Sequence, residues 1–310
     1  MIFQSINTSK YYQDSVDTLR STFTKLNLIL DGEPWIRFED NDFFKLCVPL
    51  WDEDSDGGID KAESDKAVTI NDETFGGNLD IINATDFKYL NWTPGKNSWR
   101  NGVCGVFKSC NNLKYASLRE GTYLRGEMFY DCTSLERVEL PAIILDYLSN
   151  DGSTFKYCRT LKHLKLPLNK EIYASHYFEE SGLEVLEFPN AVTTIGYFSC
   201  YKCLSLKEVI VGTGVTLIEN AAFNTCPSMH SFYIKAVTPP SITPYTFDNN
   251  TCTFYVPNSS VPAYKTATNW NKYASRIFGY DFKIFKHGNK NSNNRSTQSV
   301  RRQGSSSQVR

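Results

Sequence analysis

Residues 52–63 read Asp-Glu-Asp-Ser-Asp-Gly-Gly-Ile-Asp-Lys-Ala-Glu. Their types and spacing are those of a loop that wraps a hard cation. Ca²⁺ takes about six to eight oxygens, and alternate side chains of a tightly coiled twelve-residue loop converge on it. In that frame Asp52, Asp54 and Asp56 hold the first, third and fifth positions, and Asp60 the ninth. Glu63 at the twelfth closes the shell as a bidentate ligand. Gly57 permits the sharp turn, Gly58 offers its carbonyl, and Ile59 packs inward. The expected cofactor is one structural Ca²⁺. No second loop is visible, so the expected affinity is weak, on the order of 10⁻⁴–10⁻³ M. The alternative for a short Asp/Gly run is a solvated acidic turn.

No other set of residues points to chemistry. Cys200-x-x-Cys203 has redox or half-zinc spacing, but no second Cys pair or His pair completes a zinc shell. The histidines, at 163, 176, 230 and 287, form no triad or metal pattern. No nucleophile elbow, phosphate loop or HExxH is present. Enzymatic activity is not expected.

The elements around the loop follow from a repeat. Phe-x-x-Cys-x-x-Leu, with apolar residues three and five places further on and often a Pro, starts clearly at Phe129 and Phe155. Looser copies start at Phe107, Phe178 and Phe223. The Cys slot falls at 110, 132, 158, 181, 203 and 226, a period of 22 to 26 residues. That period is the signature of a leucine-rich-repeat solenoid, whose coils bury their apolar faces only by stacking. The slot cysteines then line the core as small buried hydrophobes. Neighbouring coils bring them near bridging distance, yet nine cysteines cannot all pair, and the reading favours free thiols. In repeat phase Cys200 sits in the Phe slot.

The expected fold is α+β, a β-solenoid with a small helical N-terminal cap around the acidic loop and a helical C-terminal cap. Residues 1–34 form a helical segment, centred on an apolar stripe over 9–27. Residues 35–100 form the cap, with a strand at Trp35–Phe38, helices over 41–51 and about 60–68, and an irregular first coil over 75–100. The solenoid occupies 101–257. Residues 258–285 close it, with Ser260 as helix N-cap, Pro262 in the first turn, and Val261, Tyr264, Trp270, Tyr273 and Ile277 covering the open end. The tail 286–310 holds six Lys or Arg, no acid, and almost no apolar residue. Such composition predicts disorder.

Net charge is −1, with 41% hydrophobic and 22% charged residues, the balance of a soluble globular protein. No secretory signal or membrane span is read. The tail lacks aromatics for base stacking, so nucleic acid is not an expected partner. One exposed column runs Lys114, Glu136, Lys162, Glu184, Lys207, His230, alternating in sign from coil to coil. Opposite charges side by side on a sheet contribute about 0.2–1 kcal/mol per pair. Tyr115 and Tyr233, taken to lie on the same sheet, are the candidate partner contacts.

The chain resembles the BspA-like leucine-rich-repeat proteins of Bacteroides and related bacteria. The resemblance is carried by the acidic loop followed by Ala67-Val68-Thr69, by Phe75-Gly76-Gly77-Asn78 and by Phe87-Lys88-Tyr89-Leu90. Repeat units such as MFYDCTSLERVELP and the segment FYVPNSSVPAYKTATNWNKYASRI complete it. It covers about 36–280. It implies a calcium-binding, EF-hand-like cap and a surface or secreted role in adhesion, with a protein or surface glycan as ligand. The alternative is a phage virion component, a fibre or head-decoration protein, docking or self-assembling through residues 1–34.

Overall fold

The computed structural model describes residues 36, 38–55, 57–70, 72–94, 105–124, 126–145 and 152–282. The chain divides into two compact units, Met1–Tyr280 and Asp281–Arg310, and the fold below is that of the first. The stretch 9–27, residues 1–34 generally, and the tail from 286 lie outside the described residues. No helix among the described residues is long and apolar enough to cross a membrane.

Helix α1 (Asn41–Trp51) buries Phe43, Cys47 and Trp51 on one face. Asp40 caps it, its Oδ1 accepting from the N–H groups of Asp42 (2.9 Å) and Phe43 (3.0 Å). These N–H groups would otherwise lack partners at a helix start. The other oxygen of Asp40 accepts from Ile82 (3.1 Å) and Asn83 (2.8 Å), so one carboxylate ties the helix to the first coil. Helix α2 is a single turn, Lys61–Ser64, shorter than the expected 60–68, because the chain enters strand β1 (Val68–Ile70). Another one-turn helix, α3, spans Asp72–Phe75.

The described part of the stretch expected to be irregular, 75–94, is regular. Strand β2 (Asn83–Ala84), a 3₁₀ turn (Thr85–Tyr89) and strand β3 (Trp92–Pro94) occupy it. It carries the repeat in disguise, with Phe75 in the Phe slot, Asn78 in the Cys slot and Ile81 in the Leu slot. The Phe75 ring stacks on Phe107 at 5.7 Å and 11°, and the next steps are Phe107–Phe129 (5.6 Å), Phe129–Phe155 (5.4 Å) and Phe155–Phe178 (6.0 Å). Cys200 takes the next Phe slot, and Phe188 bridges the gap edge-on to Phe178 and Phe223.

Every sheet among the described residues is parallel. Strand β1 pairs with β3. Strand β2 pairs with β4 (Tyr115–Ser117), and β4 with β5 (Arg137–Glu139). A five-stranded sheet follows, of β7 (Val185–Phe188), β9 (Glu208–Val211), β11 (Ser231–Ile234), β13 (Thr253–Pro257) and β14 (Ile277–Tyr280). The opposite wall is β6 (Ile172–Tyr173), β8 (Thr194–Ile195), β10 (Leu217–Ile218) and β12 (Ser241–Ile242).

The Cys slot has a structural reason. Cys132 donates its thiol hydrogen to the carbonyl of Phe107, one coil earlier, at 2.9 Å. Cys110, Cys203 and Cys226 do the same to Phe75, Phe178 and Cys200. Asn250, three places after Phe247, gives its amide to the Phe223 carbonyl at 3.2 Å. The slot therefore needs a small buried donor. The cysteines at 47, 110, 132, 158, 200, 203, 226 and 252 are free and buried, and Cys104 lies outside the described residues. Two residues after each Phe slot the backbone turns a left-handed corner, at Ser109, Asp131, Tyr157, Glu180, Lys202, Thr225 and Asn249, with φ between 54° and 67°.

The closing segment, expected to start a helix at Ser260, forms helix α4 (Val261–Thr266), a 3₁₀ turn (Asn271–Arg276) and β14. Ser260 does not cap with its side chain: its backbone is already helical, and its hydroxyl is buried without a partner. Pro262 sits in the first turn, as its missing N–H allows. Tyr264, Trp270, Tyr273 and Ile277 are buried, and Val261 is partly so. Side chains of this segment take up the carbonyls of the last coil: Tyr264 on Ala236 (2.8 Å), Trp270 on Pro240 (2.7 Å), Asn269 on Ile242 (2.7 Å), and Lys272 on Pro244.

Candidate metal centre and binding face

The acidic loop leaves α1 at Asp52 and re-enters helix at Lys61. Gly57, with φ of 85°, makes the sharp turn, and its N–H donates to Asp52 Oδ2 at 3.0 Å. Asp52 Oδ1 is buried and has no hydrogen-bond partner. A buried carboxylate oxygen left bare is costly, and a cation at that position removes the cost. Asp52, Asp54 and Glu63 each bring a carboxylate oxygen within 4.8 Å of the others. The residues present fit a Ca²⁺ held by hard oxygens.

Of the expected ligands, the structure gathers these three. Asp56 lies outside the described residues. Gly58 is buried in the loop. Asp60 is turned elsewhere: its Oδ1 accepts from Glu63 N–H at 2.8 Å, and Glu63 Oε2 accepts from Asp60 N–H at 2.9 Å. That reciprocal pair is a capping box on α2. The Asp-x-x-Glu spacing signals it, and sequence reasoning gave both residues to the metal alone. Glu63 Oε1 also accepts from Glu53 N–H at 2.7 Å, folding the loop's start over its end. Ile59 is buried, and its carbonyl accepts from Ile36 N–H at 2.9 Å. The expected strand at 35–38 is described only at Ile36 and Phe38, where no strand is formed.

The two candidate contact tyrosines lie on different sheets. Tyr115 is on β4, and its hydroxyl donates to Glu136 at 3.2 Å. Tyr233 is on β11, in register with Ile210 on β9 and Tyr255 on β13. Between the sheets, the coil at 161–166 pairs through a single bridge, His163 with Val185. Tyr233 belongs to a cluster that spacing did not reveal. Its ring stacks on Tyr255 at 4.7 Å and 16°, and Tyr280 stands edge-on to both, at 5.2 and 5.9 Å. Phe278, in register with Tyr255, is 51% exposed. The signal was aromatic alternation, Phe232/Tyr233 and Phe254/Tyr255, with one ring in and one out.

Charge on this side is internally matched. Lys114–Glu136 (3.7 Å), Lys162–Glu184 (3.7 Å) and Lys207–Glu184 (2.6 Å) form the alternating column. Lys207 beside Glu184 draws its carboxyl below the usual range. Lys235, just after β11, reaches across β9 to Glu187 on β7 at 3.0 Å. The half of the outer face nearest β14 is aromatic, with Glu208 on β9 as its neighbouring acid.

Cys200 and Cys203 both point into the core and are fully buried. Burial pushes the Cys200 thiol well up, which is the wrong direction for a reactive thiolate.

Among known proteins, no curated protein matches the chain. A leucine-rich repeat protein from Bacteroides ovatus is similar at 18% identity, over 61% of this chain and 49% of that one, with a TM-score of 0.38. The chain thus spans about half of that protein's length. A leucine rich cell surface protein from Faecalibacterium prausnitzii is similar at 15% identity, over 64% of this chain and 81% of that one, with a TM-score of 0.24. The family model for the BspA type leucine rich repeat region matches residues 97–151 and 128–253, in six copies. Those residues are half of the chain and carry the repeat, so the chain belongs to the BspA type leucine-rich-repeat family.

Proposed function

We propose that this chain is a non-enzymatic binding module of the adhesion type, a leucine-rich-repeat scaffold whose N-terminal end is stabilised by one Ca²⁺. The observation that carries the binding role is the aromatic face of β11, β13 and β14, built from the half-buried Tyr233, Tyr255 and Tyr280 and the exposed Phe278. Tyrosine supplies contact area at low entropic cost and is enriched where binding energy concentrates. The partner is a protein or surface glycan that meets an aromatic surface. Tyr115, whose hydroxyl is engaged by Glu136, is the weaker contact. The short helices at the two ends act as caps in this reading.

The bare Asp52 Oδ1 supports the calcium role. Asp52, Asp54 and Glu63 would hold the ion, with Asp56, Asp60 and Gly58 completing the shell as the loop closes. A single loop saturates near millimolar Ca²⁺, which fits a setting outside the cell. Nothing in the fold favours the virion alternative. Calorimetric titration of the chelator-treated chain with CaCl₂ tests the metal: one site is expected, and no heat of binding overturns it. A Tyr233→Ser/Tyr255→Ser variant tests the face on arrays of surface proteins and glycans. It should lose what the native chain binds while its melting temperature holds, and unchanged binding places the contact elsewhere.

A further inference from the structure

Strands β8, β10 and β12 stand in register, Ile195 beside Ile218 and Ile218 beside Ile242. Residues at one offset beyond them therefore line up across three coils. Two places on stand Tyr197, Asn220 and Pro244, and one place further Phe198, Ala221 and Tyr245. Two exposed tyrosines, Tyr197 (37%) and Tyr245 (59%), thus flank a coil that carries no ring at these positions. Their coils lie roughly 10 Å apart, twice the strand spacing. Tyr197 is braced: its ring meets Phe198 at 4.0 Å, and Phe198 meets Tyr201 at 4.6 Å and His176 at 5.3 Å. The coil between the tyrosines presents the half-buried Glu219 and Asn220 beside the buried Ala221. Glu219 Oε2 accepts from Tyr197 N–H at 2.7 Å, and Asn220 Oδ1 accepts from the Thr243 hydroxyl at 2.8 Å. Each side chain is fixed through one atom. The other atoms, Glu219 Oε1 and Asn220 Nδ2, meet no hydrogen-bonding partner among the described residues.

We propose that Tyr197, Glu219, Asn220 and Tyr245 form a second binding site, and that its ligand is a neutral oligosaccharide. A carboxylate oxygen accepts and an amide nitrogen donates. Side by side they match two adjacent sugar hydroxyls, one giving its hydrogen to Glu219 and the other taking one from Asn220. The bond to the carboxylate is charge-assisted and the stronger of the two. Because each side chain is already held by its neighbour coil, little ordering remains to be done on binding. The faces of aromatic rings are negative, and the C–H groups on the flat side of a pyranose are weakly positive, so sugar rings lie on tyrosines. The saddle at Ala221 leaves room for the unit between them. No cation pairs with Glu219 among the described residues, so its charge repels an acidic sugar and selects a neutral one. This site shares no residue with the face of β11, β13 and β14. It goes beyond the binding reading above and rests neither on that reading nor on the metal.

The probe is a printed array of neutral oligosaccharides of glucose, galactose, mannose and N-acetylglucosamine, with sialylated and uronic-acid chains alongside. The full chain should bind among the neutral sugars and not among the acidic ones. Calorimetric titration with the strongest neutral binder then locates the site. Tyr245→Ala removes an exposed ring and should weaken binding about tenfold or more, one lost contact of about 1.4 kcal/mol, with an unchanged melting temperature. Asn220→Ala should do the same. So should Glu219→Gln, which keeps an acceptor for Tyr197 N–H and turns the free oxygen into a donor. The Tyr233→Ser/Tyr255→Ser variant should bind the sugar as the native chain does. A native chain that binds no neutral sugar overturns the proposal. So does a preference for acidic sugars, or binding that survives Tyr245→Ala and Asn220→Ala. Binding lost only in the Tyr233→Ser/Tyr255→Ser variant assigns the sugar to the other face and overturns it as well. If Asn220→Ala or Glu219→Gln does not fold, Tyr245→Ala decides alone.

Discussion

Cys158 gives its thiol hydrogen to the carbonyl oxygen of Phe129, one coil earlier, at 3.0 Å. The repeat thus selects a donor at this slot as well as a volume. Replacing Cys158 by Ala removes both and should cost about 1–3 kcal/mol in denaturant unfolding. Cys158→Ser restores a donor of similar size and should cost less. Equal losses for Ala and Ser would mean that the hydrogen bond contributes nothing.

Thiol labelling offers a separate check. Burial pushes the Cys132, Cys158, Cys200 and Cys226 thiols well above their ordinary range. Labelling of the native chain at these sites should be slow, and fast only in denaturant. Rapid native labelling of Cys200 or Cys203 would revive the redox or metal reading of that pair.

The calcium reading predicts a ligand-dependent melt. An ion that binds only the native chain stabilises it by mass action, so excess chelator should lower the melting temperature. Asp52→Asn should abolish the response. It keeps an acceptor for Gly57 N–H but offers the cation a neutral oxygen. A melt indifferent to chelator would leave the loop as an acidic turn.

Phe155 is fully buried, with Phe129 stacked on one side and Phe178 on the other. Leu161 is buried in the same coil. Phe155→Ala or Leu161→Ala should cost about 2–5 kcal/mol, the burial lost plus the cavity left. Coils meet only their neighbours, so hydrogen exchange should rise on both sides of the mutated coil. Protection lost in that coil alone would argue against stacking as the source of stability.

Asp86 predicts a pH dependence of known sign. Burial raises its carboxyl pKa, while the Glu39 N–H, 2.6 Å away, opposes the rise. An acid whose pKa is higher folded than unfolded binds protons more tightly in the native state. It therefore costs stability as pH climbs from its unfolded value, about 3.9, through its folded one. Asp86→Asn retains an acceptor for Glu39 and removes that charge. The variant should be the more stable chain at pH 7, with the advantage gone near pH 4. An advantage that is constant with pH would have another cause.

The repeat was legible because each Phe, Cys and Leu slot is buried for one reason repeated along the stack. Helix 41–51 was legible from its apolar face and from the acidic run that ends it. The first coil was not, because Phe75 and Phe107 are separated by 32 positions and Asn78 stands where the eye looks for Cys. There the Asn78 side chain accepts from the N–H groups of Asp80 and Ile81, a role the Cys pattern does not display. In the acidic loop, Asp60 and Glu63 satisfied two patterns at once, and the metal pattern hid the cap. The tyrosine face was missed in part because Tyr280 enters it from the closing segment, outside the repeat. Ser260 looked like a cap by type, yet its backbone had already turned helical.

The left-handed corners have a consequence for how this scaffold varies. At Ser109, Asp131, Tyr157, Glu180, Lys202, Thr225 and Asn249 the chain adopts a geometry that favours glycine, at a cost of roughly 1–2 kcal/mol for each ordinary residue. What the cost secures is a ruler. Seven side chains of unrelated chemistry leave the body from one repeated backbone geometry, spaced by the width of a strand, about 4.8 Å. Any of them can change without rewinding its coil. A lineage can rewrite that edge residue by residue while the fold beneath it stands still.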